Sequence, residues 1–481
     1  MNVTITLIVV LYMLMMLGIG YYSSKRISSN ADFMVAGRRL GPLLMAGTLA
    51  ATEIGGGSSL GVVANAYGSW GMSAAWYIIA MGFAFMILIP LAPKFRSTSV
   101  KTVPEYFRRR YDKFSGAFSA IVMMMALVGL TAGQFKASAS ILEVMLGLDY
   151  TTSLIIVTVV ITVYAVMGGL WSVTLTDFIQ VFLIVVGMII AIPFALNLAG
   201  GWATVKETVP AEHFSLTGGI GGWGQIIGFV IMYVATFSVG QEAVSRYYAA
   251  RDGKAAVQGS IIAAIVNFLF AFVPVILGLS MLSLFNQNML DGNVVDALAN
   301  NSRYALPALA VATMPAVVTG ILFAGIISAT MSSADSDLLG AGSIFGNDLY
   351  KVFIHKGASS KEVMRITKIT MVVIALFSLV TALLADNILT LLAFSFTLRA
   401  AGTFVPYVMG HFWKKSSSAG STASILSGSI VFFLMDTGFI PSIPGLNNII
   451  PGLLVSLIAF IIFSKAFPPK SESFDLLYEE D

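Results

Sequence analysis

The 481-residue sequence predicts an all-α integral membrane protein that crosses the bilayer about thirteen times. Three observations predict it. First, 57% of the residues are hydrophobic and only 11% charged, against roughly a quarter charged in a soluble globular chain; the mean hydropathy is +0.88. Second, apolar runs of about twenty residues, enough to cross a hydrocarbon core of ~30 Å, recur along nearly the whole chain. Third, the basic residues gather in alternate connecting segments. The composition excludes a water-soluble enzyme. With no cysteine, disulfide scaffolds, Cys metal sites and thiol nucleophiles are excluded too. His213, His355 and His411 are too scattered for a metal cluster, and a formal charge of +3 is too small to attract nucleic acid.

In order, the spans are 3–22, 41–69, 70–93, 116–147, 150–167, 172–199, 221–245, 255–285, 316–345, 364–385, 387–411, 418–437 and 446–467. The first has the look of a signal peptide, but no Lys or Arg precedes it and its apolar run exceeds the usual h-region of about 7–15 residues. A retained helix with its N-terminus outside is expected. The cytoplasmic segments then hold Lys25, Arg26, Arg38 and Arg39, the run from Lys94 to Lys113, Arg246, Arg251, Lys254, the run from Lys351 to Lys368, Lys414, Lys415, Lys465 and Lys470. Lys206 and Arg303 fall in outer connections. One helix more or fewer would scramble this asymmetry. The chain is thus expected in the cell membrane, with an extra N-terminal helix in 1–24 and a cytoplasmic tail, 468–481.

The longest outer connection, about 287–315, reads as a lid-like loop with short helices. Gly219, Gly221 and Gly224 satisfy G-x-G-x-x-G, but without a βαβ unit they read as a loop entering a helix. No Walker A or kinase-like set occurs, so uphill movement would draw on an ion gradient, in which 100 mV supplies about 2.3 kcal/mol per elementary charge. No HExxH or GxSxG occurs either, and no enzymatic activity, organic cofactor or obligatory protein partner is expected.

Ionisable residues at mid-membrane depth are costly and face a cavity or a partner. Here they are Glu53, Lys136, Asp177, Glu242, Asp335, Asp337 and Arg399. Snorkelling or structural ion pairing is the plainer alternative, weightiest for Glu242 and Asp337. Glu53 adjoins Gly55, Gly56 and Gly57, which hold a straight helix poorly. A break at 53–58 would leave orphan carbonyls, which suit a hard cation and survive in a membrane only beside protein or a cavity. Close helix packing is the competing explanation of these glycines. Ser328, Ser332, Asp335 and Ser336, spaced i, i+4, i+7 and i+8, form one helical stripe of oxygen ligands. A second interruption, Phe237 to Glu242, pairs with the first, as in transporters with inverted repeats and a midplane site.

These residues resemble the sodium:solute symporter family, which includes proline, glucose, sialic acid and choline transporters. The resemblance covers nearly the whole chain and rests on the Ala51–Gly57 break, Gly168-Gly169-Leu170-Trp171-Ser172 with Thr176-Asp177-Phe178-Ile179-Gln180, and Gln241 with Arg246. It also rests on Met331 to Ser336, Asp348-Leu349-Tyr350 and His411 to Lys415. It implies the LeuT fold: a repeat over 41–200, its inverted partner over 221–411, and two further helices over 418–467. It also implies a main sodium site at the carbonyls of Ala51, Ile54 and Ala329 and the hydroxyls of Ser332 and Ser333. Some members hold a further sodium, whose positions match Asp177, Ser332, Asp335 and Ser336; Asp335 stands where the sialic acid type has serine.

Substrate contacts are expected from Glu53, Gly55, Gln134, Lys136, Gln241 and Arg399, with Trp76 and Tyr77 as aromatic walls. Lys136 or Arg399 would clamp a carboxylate, and Glu53 would take an ammonium or neutralise Lys136. The expected function is sodium-coupled symport of a small polar solute, an amino acid or organic acid, by alternating access. A choline-like cationic amine and proton coupling are alternatives. An ion channel is the rival outside transport, distinguished by single-channel currents far above transporter turnover.

Overall fold

The most buried spanning helix is less apolar than several peripheral ones, and that contrast places the chemistry. A computed structural model describes residues 3–24, 38–98 and 100–469. Lys25, Arg26 and residues 470–481 of the predicted tail lie outside it, as do Gly168 and Gly169 beyond their backbone and the side chains of Trp171, Ser172, Thr176 and Phe178. The described residues are helical, with one isolated β-bridge, Leu40 to Ala250. The window from Ala316–Ile354 is 78% buried at a mean hydropathy of 1.7, whereas Ile179–Leu198 is 33% buried at 2.7. Lipid solvates an apolar flank, while a polar stripe must turn inward.

Among the described residues nine helices are long and apolar enough to cross a membrane, ten counting the bent pair Trp223–Val239 and Gln241–Ala249. The other three expected crossings are helical, and two of them are interrupted. Val3–Ser24 has 22 residues, 41–69 is divided into Pro42–Glu53, Gly57–Gly61 and Val62–Tyr67, and 70–93 contains the 12-residue helix Trp76–Ile87. The two spans expected within 150–199 lie in one continuous helical stretch, Tyr150–Leu198. The connection after 286 carries short helices, Gly292–Asn300, Ser302–Tyr304 and Ala305–Thr313. It is tied down where Arg303 pairs with Glu143 at 3.4 Å.

Helix ends follow their sequence signals. Asp112 and Asp252 accept from the N–H groups of Ser115 and Ala255, each at 2.7 Å. Lys113–Leu146 stops at Gly147, whose φ of +65° suits glycine. Helix Ala316–Ile344 packs against Tyr150–Leu198, Lys113–Leu146 and Val3–Ser24, and so stands at the centre of the bundle. The approach to the first broken helix is tied to the end of the second: Leu40 N–H donates to the Ala249 carbonyl at 3.0 Å, and Arg251 N–H to the Leu40 carbonyl at 2.8 Å.

Candidate functional site

Pro42 opens the first half-helix behind Gly41, where its missing N–H would lack a partner anyway. The helix stops at Glu53, and Ile54 leaves helical backbone (φ −83°, ψ 70°). Gly55, Gly56 and Gly57 follow, each about 1 kcal/mol less favourable in a helix than alanine. The hydroxyls of Ser58 and Ser59 donate to the carbonyls of Glu53 and Gly55 at 2.7 Å, replacing part of the lost ladder. The chain re-enters helix through the widened turn Gly57–Gly61, where Gly61 N–H reaches the Gly56 carbonyl at 2.9 Å. Among the described residues no backbone N–H bonds the carbonyls of Ala51 or Ile54. Packing demands glycine here as well: a Cβ on Gly57 would stand 2.7 Å from both Tyr77 Oη and Leu392 Cδ1.

Two helices grip this break. Ser333 Oγ donates to the Thr52 carbonyl at 2.9 Å and lies 3.2 Å from the Ala329 carbonyl. Gln134 Oε1 accepts from Gly56 N–H at 2.8 Å. Ser138 and Thr330 hydrogen-bond each other alongside, joining the two gripping helices. Glu53 is buried, and among the described residues its Oε1 has no hydrogen-bond partner.

Immediately before Ser333 on Ala316–Ile344, Ser332 donates to Asp177, which also accepts from Thr48. Arg246 Nη2 lies 3.4 Å from the same carboxylate and donates to Ser336 Oγ at 2.6 Å. Arg246, expected in a cytoplasmic segment, is 1% exposed. The Asp177 carboxylate receives it inside the bundle. Asp335 is fully buried, with Ser336 Oγ 3.3 Å from Oδ1 and, among the described residues, no hydrogen-bond partner on Oδ2.

The second break is a 55° bend at Gly240. Arg399 meets Glu242 through its two terminal guanidinium nitrogens, Nη1 to Oε2 at 2.7 Å and Nη2 to Oε1, and its Nε donates to Thr236 Oγ1 at 2.7 Å. A Cβ on Gly240 would fall 2.6 Å from Arg399 Nη2 and from Glu242 Oε1, so glycine makes room for the ion pair. Gln241 turns the other way: its Oε1 accepts from Val103 N–H at 2.9 Å, and its Nε2 donates to the Lys101 carbonyl at 3.2 Å.

Lys136 donates to the Ala385 carbonyl at 2.6 Å, at the C-terminal end of Ser360–Leu384 where cations are favoured. Trp76 Nε1 donates to the Leu216 carbonyl at 2.9 Å, and its ring meets Trp223 edge-on at 6.0 Å. Tyr77 stacks edge-on with Tyr233 at 5.6 Å and Phe229 at 6.1 Å, and it lines a cavity of about 460 Å³ with Asn65, Phe229, Phe394 and Asp436.

The structure therefore brings Glu53, Gly55, Gln134, Ala329 and Ser333 together around the first break, with Tyr77 beside Gly57. It brings Asp177, Ser332, Asp335 and Ser336 together around Arg246. Lys136, Gln241, Arg399 and Trp76 each have other partners. Sequence reasoning missed Thr48, Thr236 and Arg246. Arg246 carried a signal, since it lies close behind the polar break, but positive-charge counting assigned it to a loop.

A family model described as the sodium:solute symporter family matches residues 33–428. The osmoregulated proline transporter OpuE of Bacillus subtilis is 25% identical over 96% of this chain and 95% of its own. The high-affinity proline transporter PutP of that organism is 26% identical over 93% and 95%, and a sodium/proline symporter of Staphylococcus aureus 23% over 95% and 92%. A substrate-bound, outward-open Na+-coupled sialic acid symporter superposes with a TM-score of 0.83 at 22% identity, covering 98% of this chain and 99% of that one. A nucleobase-cation-symport-1 family transporter gives 0.58 at 14%, covering 93% and 98%.

Proposed function

The chain belongs to the sodium:solute symporter family, a multi-pass membrane protein with the LeuT-type fold that couples sodium to symport of a small organic solute, and we propose that the solute is an amino acid and that sodium sits at the first break. The ion is held by the carbonyls of Ala51, Ile54 and Ala329 with the hydroxyls of Ser332 and Ser333. The observation that supports this reading is the Ser333 hydroxyl on the Thr52 carbonyl, one hydroxyl at the point where the first helix loses its ladder. Such oxygens are the ligands a hard monovalent cation prefers.

Arg399 is given over to Glu242 and Lys136 to Ala385. The solute carboxylate therefore goes to the N–H groups that open the second half-helix at Gly57, where the dipole favours an anion. Its amine goes to Glu53, whose Oε1 lacks a partner. The proline transporters among the relatives support an amino acid. The unpartnered Glu53 oxygen also favours a second reading, a choline-like cationic amine.

The basic face is cytoplasmic, in the plasma membrane, and the repeats 41–200 and 221–411 rock against each other. Sodium bridging the first break to Ala316–Ile344 favours the arrangement in which these elements meet. A solute that binds the same arrangement is coupled to it reciprocally. One charge moved through 100 mV supports about 50-fold accumulation. Uptake of radiolabelled proline, other amino acids and choline into proteoliposomes tests this. Amino-acid uptake that needs an inward sodium gradient is expected, and uptake of choline alone would select the second reading.

A further inference from the structure

We infer that the cavity beside Tyr77 is a binding site for the cationic nitrogen of a small organic ammonium, held by aromatic faces and the Asp436 carboxylate before the solute passes to the first break. The inference rests on the proposed function and deepens it, since both of its readings carry such a nitrogen. The cavity, about 460 Å³, is walled by Trp70, Tyr77, Phe229, Phe394 and Phe432, and among the described residues Asp436 is the one charged side chain in its lining. Aromatic faces beside a carboxylate are the groups that recognise an organic cation, and the volume suits a small molecule. The cavity adjoins the break. Tyr77 and Leu389 line it; a Cβ on Gly57 would stand 2.7 Å from Tyr77 Oη, and one on Gly61 2.8 Å from Leu389.

Asp436 sits where its own helix disfavours it. It ends Ser418–Asp436, at the opposite end from Lys414 and Lys415, so the cavity lies on the outer face. A carboxylate at a helix C-terminus opposes the dipole, and the charge therefore does not serve the helix. The side chain is exposed, and among the described residues its one hydrogen bond comes from Asn448 Nδ2 at 3.3 Å, which leaves the carboxylate open to a ligand. Of the basic side chains on this face, Arg303 is turned to Glu143 at 3.4 Å and Lys136 to the Ala385 carbonyl at 2.6 Å. The wall made by Phe432, Asp436 and residues 442–448 lies beyond residues 33–428, the span of the family match, so this charge is no part of the family resemblance. Phe394 meets Phe432 at 5.5 Å and Trp70 meets Phe229 at 6.0 Å, contacts that hold the rings in place.

Equilibrium binding of ¹⁴C-tetramethylammonium to the purified full-length protein tests this without knowledge of the solute. Wild type is expected to bind it, Asp436→Asn to weaken binding roughly tenfold, and Asp436→Glu to restore most of the loss. Phe394→Leu should weaken it by a smaller factor, and Glu53→Gln should leave it unchanged. In proteoliposomes Asp436→Asn should raise the half-saturating concentration of the carried solute at an unchanged maximal rate, a split that a damaged fold would not give. Absence of binding to wild type would overturn the inference, as would binding that Asp436→Asn does not weaken. Binding lost in Glu53→Gln alone would also overturn it, because the cation would then sit at the first break. If neither amino acids nor choline are taken up while tetramethylammonium binding still depends on Asp436, the proposed function fails and the cavity site stands.

Discussion

The Ser333 hydroxyl donates to the Thr52 carbonyl at 2.9 Å across 281 residues of sequence. It joins the last turn of an interrupted helix to a hydroxyl-bearing stripe on the most buried helix of the bundle. The two elements touch where one has lost its ladder, so whatever stabilises this contact also sets the position of one repeat against the other.

Gly55→Ala tests how tightly the break is packed. The new Cβ would stand 2.8 Å from Gln134 Oε1 and closer still to Ser333, and such overpacking costs about 1–3 kcal/mol. The expected result is a protein that remains monodisperse in detergent but loses most sodium-driven uptake.

Gln134→Leu leaves the Gly56 N–H without its acceptor, and an orphaned buried donor costs about 1–3 kcal/mol. The half-saturating sodium concentration for uptake should rise roughly tenfold. Gln134→Glu keeps an acceptor at that position and should fall between wild type and the leucine variant.

The Glu242–Arg399 pair is predicted to be structural. Removing one partner strands a buried charge, at about 3–5 kcal/mol, so Arg399→Met and Glu242→Met should each lower the melting temperature sharply. The double variant should recover part of that loss, because the two substitutions share one interaction. Thermal unfolding of all four proteins in one detergent gives the coupling directly. Additive losses would show that the two side chains act independently.

Sodium itself should stabilise the fold. A ligand bound only by the native state adds about 2.7 kcal/mol at a hundred times its dissociation constant. Thermal unfolding in NaCl should therefore lie above that in KCl at equal ionic strength, and the difference should shrink in Ser333→Ala.

The bundle was legible in the sequence because each crossing needs its own apolar run, and the first break because three glycines beside a buried carboxylate conflict with a straight helix. Ser332 was legible from helical spacing, and Ser333 only from the family resemblance. The partners were not, because spacing along one helix says nothing about which other helix faces it. Lys136 and Arg399 read as substrate clamps, since a buried cation in isolation looks free. Only the fold shows that Ala385 and Glu242 receive them. Arg246 was misplaced for a related reason: charge counting treats a basic residue near a span's end as solvated, and Asp177 lies on a helix far away in sequence.

The most direct measurement is the sodium concentration that half-saturates solute uptake in the Ser332→Ala, Ser333→Ala double variant. Loss of two hydroxyl ligands, each worth about 1 kcal/mol or more, should raise it more than tenfold while the folded protein still reaches the membrane. A sodium dependence indistinguishable from wild type would contradict the assignment of the ion to this junction.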